Sequence, residues 1–164
     1  MIKKKISITG STSSVGKLLL KKLAKHNFNL KLSTRRKKLK NEHLNKTYFG
    51  DLKNFIFTKK FLTNSDYIVH LAHNENYDEN LIIIDNLISV ANKSKKIKKF
   101  IHCSTAVVVG ISSENRETVN ENISCNPQNK YQINKFEIEQ RLLNGLKKEI
   151  DLVILRPTEI ANYD

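Results

Sequence analysis

The chain contains no tryptophan, two prolines, five glycines, two cysteines and one methionine in 164 residues. Two thiols, Cys103 and Cys125, give no disulfide framework. Arginine is scarce too: of 29 basic residues, 24 are lysine and only 5 are arginine. Phosphate-binding surfaces recruit arginine for its bidentate contacts, so this shortage weakens the nucleic-acid reading that a formal net charge of +13 invites. The apolar stretch 81–84 is far too short to span a bilayer. The basic start Met1-Ile-Lys-Lys-Lys is not followed by an apolar core or a small-residue cleavage site, so no secretory signal is read. Together these absences point to a soluble cytoplasmic protein with free thiols, without a membrane or nucleic-acid partner.

What is present is enough for a core. Hydrophobic residues make up 39% of the chain, too many for a disordered segment, and the length suits one domain over 1–164 with no need for a disulfide or metal staple. The 24 Lys, 19 Asn and 18 Ile all have A/T-rich codons, so most of the charge reads as genome composition. The basic clusters at 35–40 and 93–99 fall where loops or helix ends are expected and read as solvated surface.

The order of elements is informative. Residues 3–9 alternate and are rich in Ile, predicting a strand that runs into Gly10. A helical stripe at 15, 18, 19, 20, 23 and 24 predicts a helix over 14–26. Short strands are expected at 29–33 and 47–49, a helix at 53–62 and a buried strand at 66–72. Next come an apolar helix at 79–93 and a strand at 99–104 that leads into the apolar run 105–110. A polar loop at 112–128, an amphipathic helix at 130–147 and a strand at 152–155 complete the pattern. Strands alternating with helices of this length imply a doubly wound parallel sheet of about six strands with helices on both faces.

Three constellations carry chemistry. The first is the turn Gly10-Ser11-Thr12-Ser13-Ser14-Val15-Gly16 between the first strand and the first helix. A phosphate-binding turn needs a tight bend, a close backbone and a helix N-terminus aimed at the ligand. Gly10 can make the bend, Gly16 lets the helix pack close, and Ser11, Thr12 and Ser13 offer hydroxyls and amides. About 25 residues further on, Arg35 and Arg36 stand where an NAD-binding chain places an acid on the ribose 2′-hydroxyl. Arginine suits a 2′-phosphate, which favours NADP over NAD. The second constellation is Tyr131-Gln-Ile-Asn-Lys135. On a helix, i and i+4 share a face, so Lys135 can stabilise a Tyr131 phenolate, lower its pKa and make it a general acid/base. The third is the hydroxyl pair Ser104-Thr105 at the end of the fifth strand, whose role is implied only by resemblance to a known family.

Taken in order, these segments resemble the extended short-chain dehydrogenases/reductases of the NAD-dependent epimerase/dehydratase kind. Gly10…Ser13…Gly16 is similar to the family turn T-G-x-x-G-x-x-G, with Ser13 in place of the middle glycine, where a Cβ crowds the pyrophosphate. Phe100-Ile-His-Cys-Ser-Thr-Ala-Val-Val-Val-Gly110 is similar to F-V-x-x-S-[ST]-A-x-V-Y-G, and Val109 departs from the tyrosine. The resemblance implies a Rossmann fold and makes Thr105 the catalytic Ser/Thr, with Ser104 as its neighbour and substitute. It implies that Asp51, followed by Leu52, accepts from the adenine amino group. It makes Leu71, Ala72 and His73 the adenosine wall, lets Lys135 hold the cofactor ribose, and sets Pro157 beside the nicotinamide. Asn80…Asn86 resembles N-x-x-G-T-x-N-L without its Gly-Thr.

The implied activity is hydride transfer on a nucleotide sugar or related alcohol or ketone. The alternatives are a dinucleotide-binding module without turnover, an inactive truncated remnant, and a basic nucleic-acid-binding protein. The family continues past the point matching Asp164 with a further strand and a smaller substrate domain. The resemblance therefore implies the cofactor half without the usual substrate pocket, and the sheet edge so exposed favours a homodimer. Three other groups are read blandly. His70, His73 and His102 match no zinc spacing. Cys103 reads as a core residue. Glu137 and Glu139 read as solvated surface rather than an acid/base pair.

Overall fold

The first strand, β1 (Lys5–Thr9), is buried along almost its whole length, which a strand achieves only inside a sheet covered on both faces. The computed structural model of the chain describes residues 3–35, 46–110 and 120–160. After β1 come α1 (Ser14–Leu23), β2 (Asn29–Thr34), β3 (Lys46–Phe49), α2 (Phe55–Leu62), β4 (Tyr67–His70), α3 (Tyr77–Lys93) and β5 (Lys99–Cys103). A 3₁₀ turn (Ala106–Val109), α4 (Lys130–Gly145) and β6 (Asp151–Leu155) follow. The six strands lie in the order β3-β2-β1-β4-β5-β6, and every neighbouring pair is parallel. This is the doubly wound sheet expected from the sequence.

Side-chain alternation divides the core between the two faces. Ile6, Ile8, Leu30, Leu32 and Val69 point one way and meet Leu19, Leu20 and Leu23 of α1. Ile68 and Phe100 point the other way and meet Phe61 and Leu62 of α2, Ile84 and Leu87 of α3, and Ile138 and Leu142 of α4. Fully burying one such side chain contributes about 1.5–3 kcal/mol.

The element ends follow from caps. α3 begins at Tyr77, earlier than the hydrophobic pattern suggests, because Asn76 accepts from the Asp78 and Glu79 amides and those two acids favour the helix N-terminus. α2 begins at Phe55 because Asn54 Oδ1 accepts the Phe57 amide at 3.0 Å. α1 stops at Leu23 rather than 26, so that the chain can turn back and bring Asn29 opposite Lys5. Of the expected polar loop, 111–119 lies outside the described residues, and 120–128 carries no helix or strand. Among the described residues, no helix is long and apolar enough to cross a membrane.

Two histidines sit inside this sheet. His70 and His102 are register partners on β4 and β5, with ring centroids 5.3 Å apart. His70 Nδ1 lies 2.7 Å from Thr9 Oγ1, whereas both ring nitrogens of His102, 1% exposed, have no hydrogen-bond partner among the described residues. Burial is the main cause that holds His70 well below its ordinary value and pushes His102 down to about 3. Both rings are therefore neutral in the fold, while the unfolded chain takes up protons below about pH 6.5. Their stabilising contribution is complete above that pH and is lost as pH falls toward the folded values. One such histidine removes about 1.4 kcal/mol of stability for each pH unit between 6 and 4. Chemical denaturation across that window should show the loss, and His102→Phe should reduce its slope by about one proton. An unchanged slope would mean that His102 is already charged in the folded protein.

Candidate active site

The first turn is built on two glycines that nothing larger can replace. Gly10 has φ +67°, and a Cβ there would lie 2.6 Å from the Ala72 nitrogen. A Cβ on Gly16 would lie 2.4 Å from the Gly10 carbonyl oxygen. Such a cradle lets a ligand's phosphates approach bare backbone. Ser13 departs from the expected glycine but adopts an ordinary extended backbone (φ −70°, ψ 166°) as the N-cap of α1. Its hydroxyl donates to the Gly10 carbonyl at 2.8 Å and accepts from the Gly16 amide at 3.1 Å. Ser13 thus closes the turn that a glycine would leave loose.

A groove of about 280 Å³ crosses the carboxyl ends of β1 to β4. It lies where the sheet order reverses direction between β1 and β4, the usual ligand position in doubly wound sheets. Gly10, Thr12 and Ser13 line it from the first turn, and Arg35 from the end of β2. Asp51 and Leu52 line it from the end of β3, and Leu71, Ala72 and His73 from the end of β4. Ser11 and Gly16 are buried beneath the turn, Ser11 Oγ facing the Ser33 carbonyl at 3.5 Å. Val15 is half-buried on α1 and is not part of the groove wall. Arg36 lies outside the described residues. Thr9 anchors the floor: its hydroxyl oxygen accepts from the Leu71 and Ala72 amides, each at 3.2 Å. Asn86 donates to the Leu52 and Lys53 carbonyls (3.0 and 2.8 Å) and holds the loop that presents Asp51.

Tyr131 and Thr105 are hydrogen-bond neighbours beside this groove, and Lys135 lies one helical turn after Tyr131. Asn129 caps α4 by accepting the Gln132 amide at 2.9 Å, which sets Tyr131 in the first turn, 36% exposed. Lys135, one turn on and 6% exposed, donates from Nζ to the Cys103 carbonyl at 3.2 Å. Thr105 caps the 3₁₀ turn through the Val107 amide (3.4 Å). The Ser104 hydroxyl is buried without a partner among the described residues. Pro157 holds the end of β5 in place, its carbonyl accepting the Ala106 amide at 3.0 Å. His73 joins the two regions: it lines the groove, and its ring meets the Tyr131 ring edge-on at 5.4 Å.

The electrostatics differ from the sequence expectation. Burial, followed by the nearby Cys103 thiol, holds the Tyr131 phenol above its ordinary value, while a hydrogen bond with Thr105 acts in the opposite direction. Lys135 is not among the groups that shift the phenol; its ammonium donates to the Cys103 carbonyl, and burial lowers its own pKa. His73 is pushed down to about 4, first by burial and then by Lys135, so it faces Tyr131 as a neutral ring.

Two side chains that the sequence reading left without a role hold this cluster. Asn134 Oδ1 accepts from Asn80 Nδ2 at 3.0 Å, and its own amide donates to the Tyr77 carbonyl at 3.0 Å, which locks α4 to α3. Asn80 also accepts the Asn74 amide at 2.8 Å and fixes the loop that carries His73. Glu139 corrects the solvated-surface expectation: it is fully buried and takes the Arg156 guanidinium on both carboxylate oxygens at 2.6–3.2 Å. Glu137 is the exposed member of that pair, bonded to Arg141. The reason is helical: 134, 135, 138, 139 and 142 form one buried stripe, and Glu139 lies one turn past Lys135 on it. Replacing Glu139 by Gln keeps the shape and strands the Arg156 charge. A loss of about 2–3 kcal/mol is expected, read as a fall of roughly 5–10 °C in Tm. A shift below 2 °C would show that solvent compensates Arg156 unaided.

The sequence profile of the NAD dependent epimerase/dehydratase family matches residues 6–161. No curated protein matches the chain in sequence. Among solved structures, a UDP-glucose 4-epimerase superposes with a TM-score of 0.81 at 23% identity, over 98% of this chain and 53% of that one. The UDP-Glc/GlcNAc 4-epimerase of Campylobacter jejuni gives 0.78 at 24% identity, over 93% and 53%. WbmG of Bordetella bronchiseptica, in complex with NAD and UDP, gives 0.78 at 16% identity, over 94% and 53%. The chain therefore spans about half the length of these structures, and at such identities they show the shared fold alone. With the profile matched along nearly its whole length, the chain belongs to the NAD dependent epimerase/dehydratase family.

Proposed function

We propose that this chain binds a nicotinamide dinucleotide across the carboxyl ends of β1 to β4 and that Tyr131 moves the proton in an alcohol–ketone interconversion. The substrate class is a nucleotide sugar or a related alcohol. The observation that carries this reading is the continuity through His73 between a glycine-floored groove and the Tyr131 cluster. When bound, the nicotinamide supplies or accepts the hydride. The residues of the chain do the rest. Gly10 and the capped start of α1 receive the pyrophosphate. Asp51 accepts from the adenine amino group, Leu71 and Ala72 wall the adenosine, and Pro157 borders the nicotinamide side. The Thr105 hydroxyl orients the substrate oxygen, and Tyr131 exchanges a proton with it. The raised phenol pKa keeps that proton in place at neutral pH, which suits Tyr131 to protonate a carbonyl oxygen as it is reduced. Acting as a base in the reverse direction calls on the Lys135 ammonium to leave the Cys103 carbonyl and face the phenol. The free thiols Cys103 and Cys125 suit the reducing cytoplasm proposed for this chain.

Arg35 supports NADP as the cofactor. It lines the groove directly after Thr34, where an acid would take the ribose hydroxyls of NAD, and its guanidinium suits a 2′-phosphate. A second reading, dinucleotide binding without turnover, is favoured by one observation: Lys135 is bonded to the backbone of β5 rather than serving Tyr131.

Titration with NADPH and NADH, followed by thermal shift, should stabilise the chain. No shift at millimolar concentration of either would refute the cofactor reading. Tyr131→Phe should leave that stabilisation unchanged while any reduction or oxidation of a nucleotide sugar falls at least 100-fold. Turnover surviving the change would remove the proton-transfer role. Arg35→Ala should weaken NADPH about 10- to 100-fold with little effect on NADH, since a charge-assisted contact is worth about 1.5–3 kcal/mol. Equal losses would remove the preference for NADP.

A further inference from the structure

A second crevice, of about 820 Å³, opens at the opposite end of the sheet, between the amino ends of β1 and β2, the edge strand β3 and α2. Four lysines line it, Lys5, Lys31, Lys46 and Lys60, and among the described residues no Asp or Glu does. None of the four takes part in an ion pair among the described residues. Asp66, at the entry to β4, accepts the backbone amide of Lys5 at 2.7 Å instead.

Lys31 distinguishes this cluster from a solvated basic surface. Among the described residues only two lysines are buried: Lys135 in the candidate active site, and Lys31, 5% exposed. Genome composition accounts for lysine at tolerant surface positions, but not for an ammonium between Leu30 and Leu32 in a buried strand, where an aliphatic side chain would pack without desolvation cost. The partners of Lys31 are all neutral. Nζ donates to the Thr63 carbonyl at 2.7 Å and to Ser65 Oγ at 3.4 Å, and it stands over the Tyr48 ring at 5.0 Å. Burial, then Lys46 and Lys5, push it down to about 8, as expected of a cation that lacks a counterion.

A buried cation, three neighbouring cations and no carboxylate among the described lining residues make a site short of negative charge. Lysine ammonium groups hold phosphate oxygens as point charges, without the bidentate geometry of arginine. Thr47 and Asn64 on the same walls add neutral polar groups. We infer that this crevice binds a phosphate-class oxyanion, as free phosphate or as a phosphate monoester, with Lys31 as the buried anchor and Lys5, Lys46 and Lys60 around it. The site is separate from the nucleotide groove and does not depend on the reading of that groove.

The test titrates inorganic phosphate into the whole chain at constant ionic strength, with chloride as the balancing ion, and follows thermal shift and the ³¹P resonance. Saturable binding is expected in the unmodified chain, weakened at least tenfold in Lys31→Met, which keeps the aliphatic stem and removes the charge. The NADPH shift should be the same in both. Equal phosphate affinity in Lys31→Met would overturn the proposal and put the anion in the nucleotide groove, and an effect matched by chloride alone would overturn it as non-specific screening. Should Lys31→Met fail to fold, the exposed pair Lys46→Gln/Lys60→Gln serves, with a loss of fivefold or more expected and no loss overturning the site. Phenyl phosphate separates the two sources: tenfold tighter binding than inorganic phosphate assigns the site to a monoester, and tighter inorganic phosphate assigns it to the free anion.

Discussion

The structure depends on how closely the chain leaving β1 can approach the chain leaving β4. No side chain fits at Gly10, because the backbone of Leu71 and Ala72 already occupies the space. The Thr9 hydroxyl, accepting from both amides of that segment, supplies the attraction that holds the two exits together. The groove is a consequence of that contact. It forms where β1 and β4 part to opposite sides of the sheet, and its floor is bare backbone because nothing larger than glycine is tolerated there. Once this seam is set, His73 is carried to a fixed distance from Tyr131, three residues beyond His70 on the same segment.

The Tyr131 end is held by a different kind of force. α4 presents three functional groups on one stripe, Tyr131, Lys135 and Glu139, of which Tyr131 is the most exposed. Lys135 and Glu139 both spend their charge internally, on the Cys103 carbonyl and on Arg156. The cost of burying the Glu139 carboxylate is offset because Arg156 meets it with a near-parallel pair of N–H groups. The gain is geometric: the end of β6, with Pro157 and its bond to Ala106, is pinned to the helix that carries Tyr131.

Much of this was legible in the sequence, and what was not has a common cause. Strand and helix periods, the turn between Gly10 and Gly16 and the Tyr131–Lys135 spacing are local patterns, and the sheet assembled as they imply. Ser13 was legible as a departure but not as a cap, because its role depends on the hydroxyl closing back on Gly10. Glu139, Asn134 and Lys31 were illegible for one reason. A polar residue on a helix or strand looks solvated until a partner distant in sequence arrives to cover it, and those partners lie at Arg156, Asn80, Thr63 and Tyr48. The assumption that lysine and glutamate mark the surface fails where the fold supplies a counter-charge, or a neutral cage, from elsewhere in the chain.

The two buried lysines show how differently one side chain can be used. Lys135 loses water but sits among groups that favour its charge, the Cys103 thiol and the Glu139 carboxylate, so burial lowers its pKa against resistance. Lys31 has no such support; its neighbours Lys46 and Lys5 deepen the effect of burial. Lys135 acts on the ring of His73 from its bonded position, while Tyr131 retains its proton because burial and the neighbouring Cys103 thiol hold its pKa up. A charge met only by neutral groups can still take an anion from outside. The same residue type therefore marks a positioning device at one end of the sheet and a binding anchor at the other. What separates them is the sign of the charges around each ammonium, not the depth of its burial.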